Sequence, residues 1–215
     1  MPAKRGLFAL KGHKKQMPWI HTYSGKYIDY KNPDFNEINI TDIAHHLSLE
    51  NRFMGQASEA YSVASHSLFC AEIAQYLDYS PYMQLRVLMH DFHEAYVKDI
   101  PTPLKKVCPE FCELELKFEK LVEHRYMLPT LTEEEIKQIK HVDLVALLME
   151  KNTLLSDKSV WPQLKNIEPI NCLKVPRHTP KKAEELLKIK FSELWDEAFK
   201  AQPLNDIMLF AGVMK

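Results

Sequence analysis

The sequence predicts an all-α protein, a helical bundle, and three features indicate this class. Apolar residues recur mostly at three- and four-residue steps, which is the spacing of a single helix face. Glycine is scarce, with five in 215 residues, and apolar residues make up 46% of the chain. This apolar content is enough to bury a real core, and the length suits one domain.

A short β-hairpin is the expected exception, near the N-terminus. Residues 20–23 and 26–30 favour strands, and Ser24-Gly25 between them is typical of a turn. Residues 1–16 are rich in Lys and Arg, contain no acid and lack the apolar core of a signal peptide. We interpret them as a basic N-terminal tail, followed by a single domain over 17–215 with its motif core at 41–155.

The remaining elements are helices that open at residues favoured at helix N-termini. They are predicted to begin at Thr41, Ser62 (to Leu77), Pro81 (to about Val97), Pro109, Thr132 (to Leu155, with a capping box) and Thr179. Pro101 and Pro103 are expected to hold an extended segment. Residues 157–179 show little periodicity and favour a long loop. The last helix, in the C-terminal stretch 156–215, could serve either the core or an interface.

Charge and cysteine usage exclude some classes of partner. A net charge of −1 predicts no strong attraction to nucleic acid polymers or anionic membranes. No apolar run approaches the ~18 residues that a membrane span needs. The four Cys form no Cys-x-x-Cys pair, which favours free thiols in a reducing cytoplasm.

The segment 90–94, His-Asp-Phe-His-Glu, is the most informative one for chemistry. With His66 upstream and Asp143 downstream, His90 and Asp91 complete a set of two imidazoles and two carboxylates. Such a set suits a hydrolytic divalent metal ion. Taken alone, His66 is explained as a satisfied core residue, and Asp143 as the partner of a Lys or His in a salt bridge. One ion would account for all four residues together.

Other residues near this set suit a phosphate substrate. Arg52, Lys105 and Lys140 supply cations that pair well with phosphate oxygens. On a helix, His90 and Asp91 point about 100° apart, so an ion must lie between their directions. Glu94 lies on the same side and is not needed as a ligand, which leaves it free for proton transfer.

These residues resemble the HD phosphohydrolase superfamily, which is helical and metal-dependent. The segments that carry the resemblance are 18–20, 42–44, 52–53, 61–67 and 90–105. They look most like the bacterial HD-domain 5'-deoxynucleotidases and, equally, the phage dATP triphosphohydrolases. The resemblance covers roughly residues 17–155.

The resemblance implies an HD-domain helical bundle that binds one divalent ion, namely cobalt, manganese or zinc. Its metal ligands would be His66, His90, Asp91 and Asp143, and its catalytic residues Asp91 and Glu94, with Glu94 as the acid/base. The implied substrate-binding residues are Arg52, Phe53, Asp99, Pro103, Lys105 and Lys140. Within this set, Asp99 would hydrogen-bond the sugar 3'-hydroxyl. The resemblance also implies a homo-oligomer, either a dimer or a hexamer. Such a protein would act in the bacterial cytoplasm and be encoded by the bacterium or by a phage.

The expected reaction is hydrolysis of dATP to deoxyadenosine and triphosphate. Lys98, which stands where relatives often have Gly, favours this reaction because it adds a cation beside Asp99. The alternatives are a 5'-deoxynucleotidase acting on monophosphates, a nucleotide-sensing module without turnover, and a purely structural helical domain. Two-metal relatives need additional His ligands, and His93 and His124 are the only plausible spare ones, so one ion is expected.

Overall fold

Helices account for most of residues 18–200, which are the residues that the computed structural model describes. The two strands are β1 (Trp19–His21) and β2 (Tyr27–Asp29). The helices are α1 (Ile40–Leu49), α2 (Val63–Tyr76), α3 (Pro81–Met89), α4 (Glu94–Val97), α5 (Thr102–Lys105), α6 (Pro109–Arg125), α7 (Glu133–Leu154) and α8 (Pro180–Phe199). Short 3-10 turns cover 35–37, 52–55 and 162–164. The predicted helical class is confirmed, and the predicted tail at 1–16 lies outside the described residues.

The predicted hairpin is confirmed, with strands slightly shorter than expected. β1 and β2 pair antiparallel, with Ile20 opposite Ile28. Gly25 closes the turn at φ +87°, a left-handed conformation that costs glycine little. Ile28 is fully buried and joins the hairpin to the helical core.

Helix α2 is the centre of the packing. It contacts α1, α3, α7 and α8, and most of its residues are buried. The Ser62 hydroxyl caps it by accepting a hydrogen bond from the backbone N–H of Ser65 at 3.2 Å. His66 is one of its fully buried residues, so the surrounding packing fixes the position of its side chain.

Helix α8 belongs to the core. Its buried residues Ala183, Leu187, Phe191, Leu194 and Trp195 pack with the main cluster, and the helix contacts α1 and α3. The segment after residue 156 therefore completes the bundle, although the family resemblance does not reach it.

The N-terminus of the first helix was wrongly predicted. Asn39, not Thr41, is the N-cap: its side chain accepts a hydrogen bond from Asp42 N at 2.9 Å. Asn and Thr are both favoured at this position. The hairpin decides between them, because Asp42 also accepts from Ser24 N and Oγ at 2.6 and 2.7 Å.

Two further predictions between residues 81 and 105 were wrong. The helix from Pro81 ends at Met89, and a turn at 90–93 separates it from α4. The segment expected to be extended contains the helical turn α5, with Pro103 in its first turn. Proline is tolerated there because the first N–H groups of a helix have no partner within the helix.

The long helix α7 matches its sequence signal closely. The capping box is present, since Glu135 N donates to Thr132 Oγ1 and Thr132 N donates to Glu135 Oε2 at 2.7 Å. Within residues 18–200, none of the helices has both the length and the apolar character required to cross a membrane.

Candidate metal centre and substrate cavity

The candidate metal centre lies where α2, the turn after α3 and α7 meet. His66 comes from the first turn of α2, and Asp143 from the middle of α7. His90 and Asp91 come from the turn that interrupts the predicted helix. The four residues that the sequence singled out therefore reach one point from three separate elements.

Distances around the Nε2 atom of His66 describe a compact set of donors. This atom lies 3.4 Å from His90 Nε2, 3.5 Å from Asp91 Oδ2 and 3.6 Å from Asp143 Oδ1. His90 Nε2 lies 3.1 Å from Asp91 Oδ2. Ligands bound at ~2.1 Å to a common ion lie ~3.0 to 3.4 Å from one another. The spacing fits one divalent ion with small adjustments.

Both imidazoles are oriented by hydrogen bonds at their other nitrogen. His66 Nδ1 lies 2.7 Å from Glu150 Oε1, and His90 Nδ1 lies 2.7 Å from the carbonyl oxygen of Val87. A carbonyl oxygen and an ionised carboxylate can only accept, so each Nδ1 must donate. Each Nε2 is then the nitrogen that faces the other donors, as in metal-ligating histidines generally.

Glu150 is a central residue that the sequence reasoning missed. It is fully buried and accepts from Tyr61 Oη at 3.0 Å and Arg52 Nε at 3.1 Å, besides its contact with His66. Burial alone would raise its pKa, but Arg52 and His66 outweigh burial, and the pKa lies below the usual value. Glu150 lies seven residues after Asp143, two turns along the same face of α7. That spacing was a usable signal.

Arg52 is held in the wall of the site by two carboxylates. Besides Glu150, it faces Asp91 Oδ2 at 3.7 Å, and its guanidinium lies 5.5 Å from the ring centre of Phe53. Phe53 and Met54 have φ of +56° and +52°, which is unfavourable for residues other than glycine. This strained turn places Arg52 and Phe53 together on the wall of the cavity described next.

A cavity of about 1130 Å³ opens over the candidate metal centre. The predicted site residues that line it are Arg52, Phe53, His90, Asp91, Glu94, Asp99, Pro103, Lys105, Lys140 and Asp143. His66 is fully buried behind them. The wall formed by α6 and α7 mixes apolar residues, among them Leu116, Val122, Ile139 and Leu147, with charged residues such as Glu119, Lys120 and Glu123.

Glu94 lines the cavity and is 4% exposed. Its Oε2 has no hydrogen-bond partner among the described residues. Burial, reinforced by the carboxylates of Asp91 and Asp99, raises the pKa of Glu94 well above its usual value. A carboxyl group with a raised pKa stays protonated to higher pH and can act as an acid.

The cations predicted to bind phosphate all have carboxylate partners. Lys105 Nζ lies 2.5 Å from Glu115 Oε1, and Lys140 Nζ lies 2.7 Å from Asp143 Oδ2. Lys98 pairs with Glu50 and is not among the residues lining the cavity. The structure therefore removes the reason for which Lys98 favoured a triphosphate substrate.

Cys70 adds a thiol to the metal centre. It follows His66 by one turn of α2, and its Sγ lies 3.5 Å from His66 Nε2. His66, Cys70 and His90 together form a group that could hold a metal ion. Burial raises the pKa of the Cys70 thiol, and all four cysteines are free, as the sequence predicted.

Comparison with known proteins places the chain in a family without assigning an activity. No family model matches it. It is 34% identical over 179 residues to the uncharacterized protein YfdR of Escherichia coli K12, covering 83% of this chain and 96% of YfdR. It is 33% identical over 138 residues to the uncharacterized protein RCAP_rcc00048 of Rhodobacter capsulatus, covering 61% of this chain and 70% of that protein. The chain belongs to the same family as YfdR.

Proposed function

We propose that the chain is a metal-dependent HD-domain phosphohydrolase that cleaves deoxynucleotides at the phosphorus nearest the sugar. One observation carries this proposal: two imidazole nitrogens and two carboxylates, from His66, His90, Asp91 and Asp143, converge within 3.6 Å of His66 Nε2. Burying such a set of polar groups is costly unless something binds them. A divalent ion at the end of a large cavity is the arrangement that hydrolytic metal sites use.

The donor set fits the expected ions. Two nitrogen and two oxygen donors suit cobalt, manganese or zinc, and no thiolate is required. When bound, such an ion lowers the pKa of a water molecule and neutralises charge on phosphoryl oxygens.

The cations of the site would bind the phosphate chain. Arg52 is already fixed by Glu150, so its guanidinium can meet a phosphate oxygen with little loss of side-chain entropy. Lys105 and Lys140 are on the cavity wall and would exchange their present carboxylate partners for phosphate. These contacts strengthen as charge gathers on the phosphoryl oxygens, which is the condition for transition-state stabilisation.

Glu94 would handle the proton of the leaving group. Water adds to the phosphorus nearest the sugar, the bond from that phosphorus to the sugar 5'-oxygen breaks, and Glu94 donates a proton to that oxygen. The water proton then restores Glu94. Asp99, also on the cavity wall, would accept a hydrogen bond from the sugar 3'-hydroxyl, with Phe53 and Pro103 against the sugar and base.

Product analysis of the purified protein with cobalt or manganese tests this function. We expect dATP to yield deoxyadenosine and intact triphosphate. Any other deoxynucleotide that is cleaved is expected to yield its nucleoside and its intact phosphate chain. Release of free phosphate from several deoxynucleoside monophosphates, with dATP untouched, would assign the 5'-deoxynucleotidase reaction instead. Absence of turnover in metal-loaded protein would contradict both reactions and favour a nucleotide sensor.

A matched pair of variants separates the proton donor from a general charge effect. Glu94→Gln is expected to abolish turnover while nucleotide binding persists, because it removes the transferable proton and keeps the side-chain volume. Glu119→Gln makes the same change at an exposed residue that also lines the cavity, and is expected to retain turnover. Equal turnover in the two variants would contradict the role of Glu94.

A further inference from the structure

A second group of potential ligands lies beside the first metal centre. It consists of His93, which precedes α4, Glu94, the first residue of α4, and Glu115 on α6. One ligand atom from each residue lies within 4.8 Å of the others. The two elements that carry them pack against each other, so the group is part of the folded core of the site.

A small side pocket of about 340 Å³ contains this group. Its charged lining consists of the carboxylates of Asp91, Glu94, Glu115 and Glu119 and the ammonium of Lys105. With every carboxyl group counted as ionised, four carboxylates against one ammonium give a formal charge of −3, and protonation of Glu94 reduces it to −2. A partly enclosed pocket of this charge concentrates cations and repels phosphate.

An unsatisfied buried oxygen in the same place points to a ligand. Glu94 is 4% exposed and its Oε2 has no hydrogen-bond partner among the described residues. His93 is also buried, with Nε2 3.5 Å from Glu115 Oε1. A buried carboxylate oxygen without a donor is costly, and a cation would satisfy it.

Lys105 compensates only one of the carboxylates in the side pocket. Its Nζ contacts Glu115 Oε1 at 2.5 Å, the same oxygen that faces His93. One ammonium therefore pairs with Glu115 and leaves Glu94 Oε2 without a partner. The Lys105 side chain is about a quarter exposed, so it can move out towards the main cavity, which it also lines.

We propose that His93, Glu94 and Glu115 form a second divalent-cation site, which a hard cation such as Mn²⁺ or Mg²⁺ enters by displacing Lys105. One imidazole and two carboxylates match the donor preference of Mn²⁺. Asp91 lines the side pocket and belongs to the first centre, so it lies between the two sites. The displaced Lys105 ammonium becomes available to a phosphate chain in the main cavity. This site requires no substrate, and an ion there would hold Glu94 ionised, so the site must be empty when Glu94 donates a proton in the proposed reaction.

Counting bound Mn²⁺ per chain tests the proposal without relying on activity. The full-length protein is titrated with Mn²⁺, and free Mn²⁺ is measured by electron paramagnetic resonance. We expect two ions per chain in the unsubstituted protein, and one in His93→Gln and in Glu115→Gln. Glu119→Gln, the same change one turn further along α6 and outside the ligand group, is the matched control and is expected to keep two.

Lys105→Met tests the exchange between the lysine and the ion. Removing a competing positive charge is expected to tighten Mn²⁺ binding at the second site about fivefold or more. Lys105→Met leaves all three proposed ligands in place, so it tests the site even if Glu115→Gln fails to fold. Thermal unfolding of each variant shows whether it folds.

Three results would overturn the second site. They are a single ion per chain at saturating Mn²⁺, two ions retained in both His93→Gln and Glu115→Gln, and unchanged or weaker binding in Lys105→Met. His66→Gln separates this test from the proposed function, because it removes a ligand of the first centre and leaves the side pocket intact. If His66→Gln alone loses an ion, the first centre stands and the second does not.

Discussion

Replacing Glu150 by Gln is the sharpest test of the metal centre. Among the predicted metal ligands Glu150 contacts His66, and the Nδ1 atom of His66 lies 2.7 Å from the Oε1 atom of Glu150. Gln keeps the volume and one acceptor oxygen but removes the negative charge. His66 would then be less strongly oriented and less basic at Nε2, the atom on which the other donors converge.

The expected effect on metal affinity is a 10- to 100-fold loss, the usual range for removing such a supporting carboxylate, which corresponds to about 1.4 to 2.7 kcal/mol. Stability should fall as well, because Arg52 loses its closer carboxylate partner. Breaking a buried ion pair costs roughly 3 to 5 kcal/mol. Arg52 retains Asp91 at 3.7 Å, so we expect a loss near the lower limit.

The measurement is competition for cobalt or zinc against a chromophoric chelator, with unfolding followed in parallel. Tyr61→Phe is the matched control, because it removes one hydrogen bond to the same carboxylate and leaves its contact with His66. We expect its metal affinity to change much less than that of Glu150→Gln, since the carboxylate loses one charge-assisted hydrogen bond but keeps its charge and its contact with His66. If Glu150→Gln binds metal as tightly as the unsubstituted protein, Glu150 serves only as the structural partner of Arg52, and the orientation argument is refuted.

The remaining predictions concern metal linkage, backbone strain and a helix cap. Cobalt at 100 times its dissociation constant should raise the free energy of unfolding by about 2.7 kcal/mol over chelator-treated protein, and His66→Gln should abolish most of that gain. Asp78 ends α2 at φ +57°, with Tyr79 N bonded to Ala74 O. In urea titrations Asp78→Gly should therefore be at least about 1 kcal/mol more stable than Asp78→Ala, and equal stability would contradict strain at this residue. Thr132→Ala should lower stability by about 1 kcal/mol through loss of the capping box on α7, whereas an unchanged unfolding midpoint would show that the cap contributes nothing.

Local signals in the sequence predicted most of the fold. The hairpin, the capping box of α7 and the N-caps of α2 and α8 follow from residues within a few positions of each other. Such features depend little on tertiary context, which is why they could be predicted. The cap of α1 could not, because it depends on Ser24 of the hairpin contacting Asp42 across 18 residues of chain.

Parts of the candidate site could not be predicted for the same reason. The spacing of Glu150 from Asp143 places it on the same face of α7, but its partners Tyr61 and Arg52 lie 89 and 98 residues away in the chain and no local signal indicates them. Lys98 looked like a cation for the cavity, yet it turns to Glu50, which lies 48 residues earlier. Sequence spacing gives the face of a helix on which a residue lies but not the partner that packs against that face.

The break after Met89 explains how adjacent residues can share one ion. In a continuous helix, His90 and Asp91 would point about 100° apart. In the structure the helix ends, His90 Nδ1 bonds back to Val87 O, and His90 Nε2 comes within 3.1 Å of Asp91 Oδ2. The same turn brings His93 and Glu94 to the side pocket. The interruption that made the helix prediction wrong is therefore the feature that assembles both candidate metal sites.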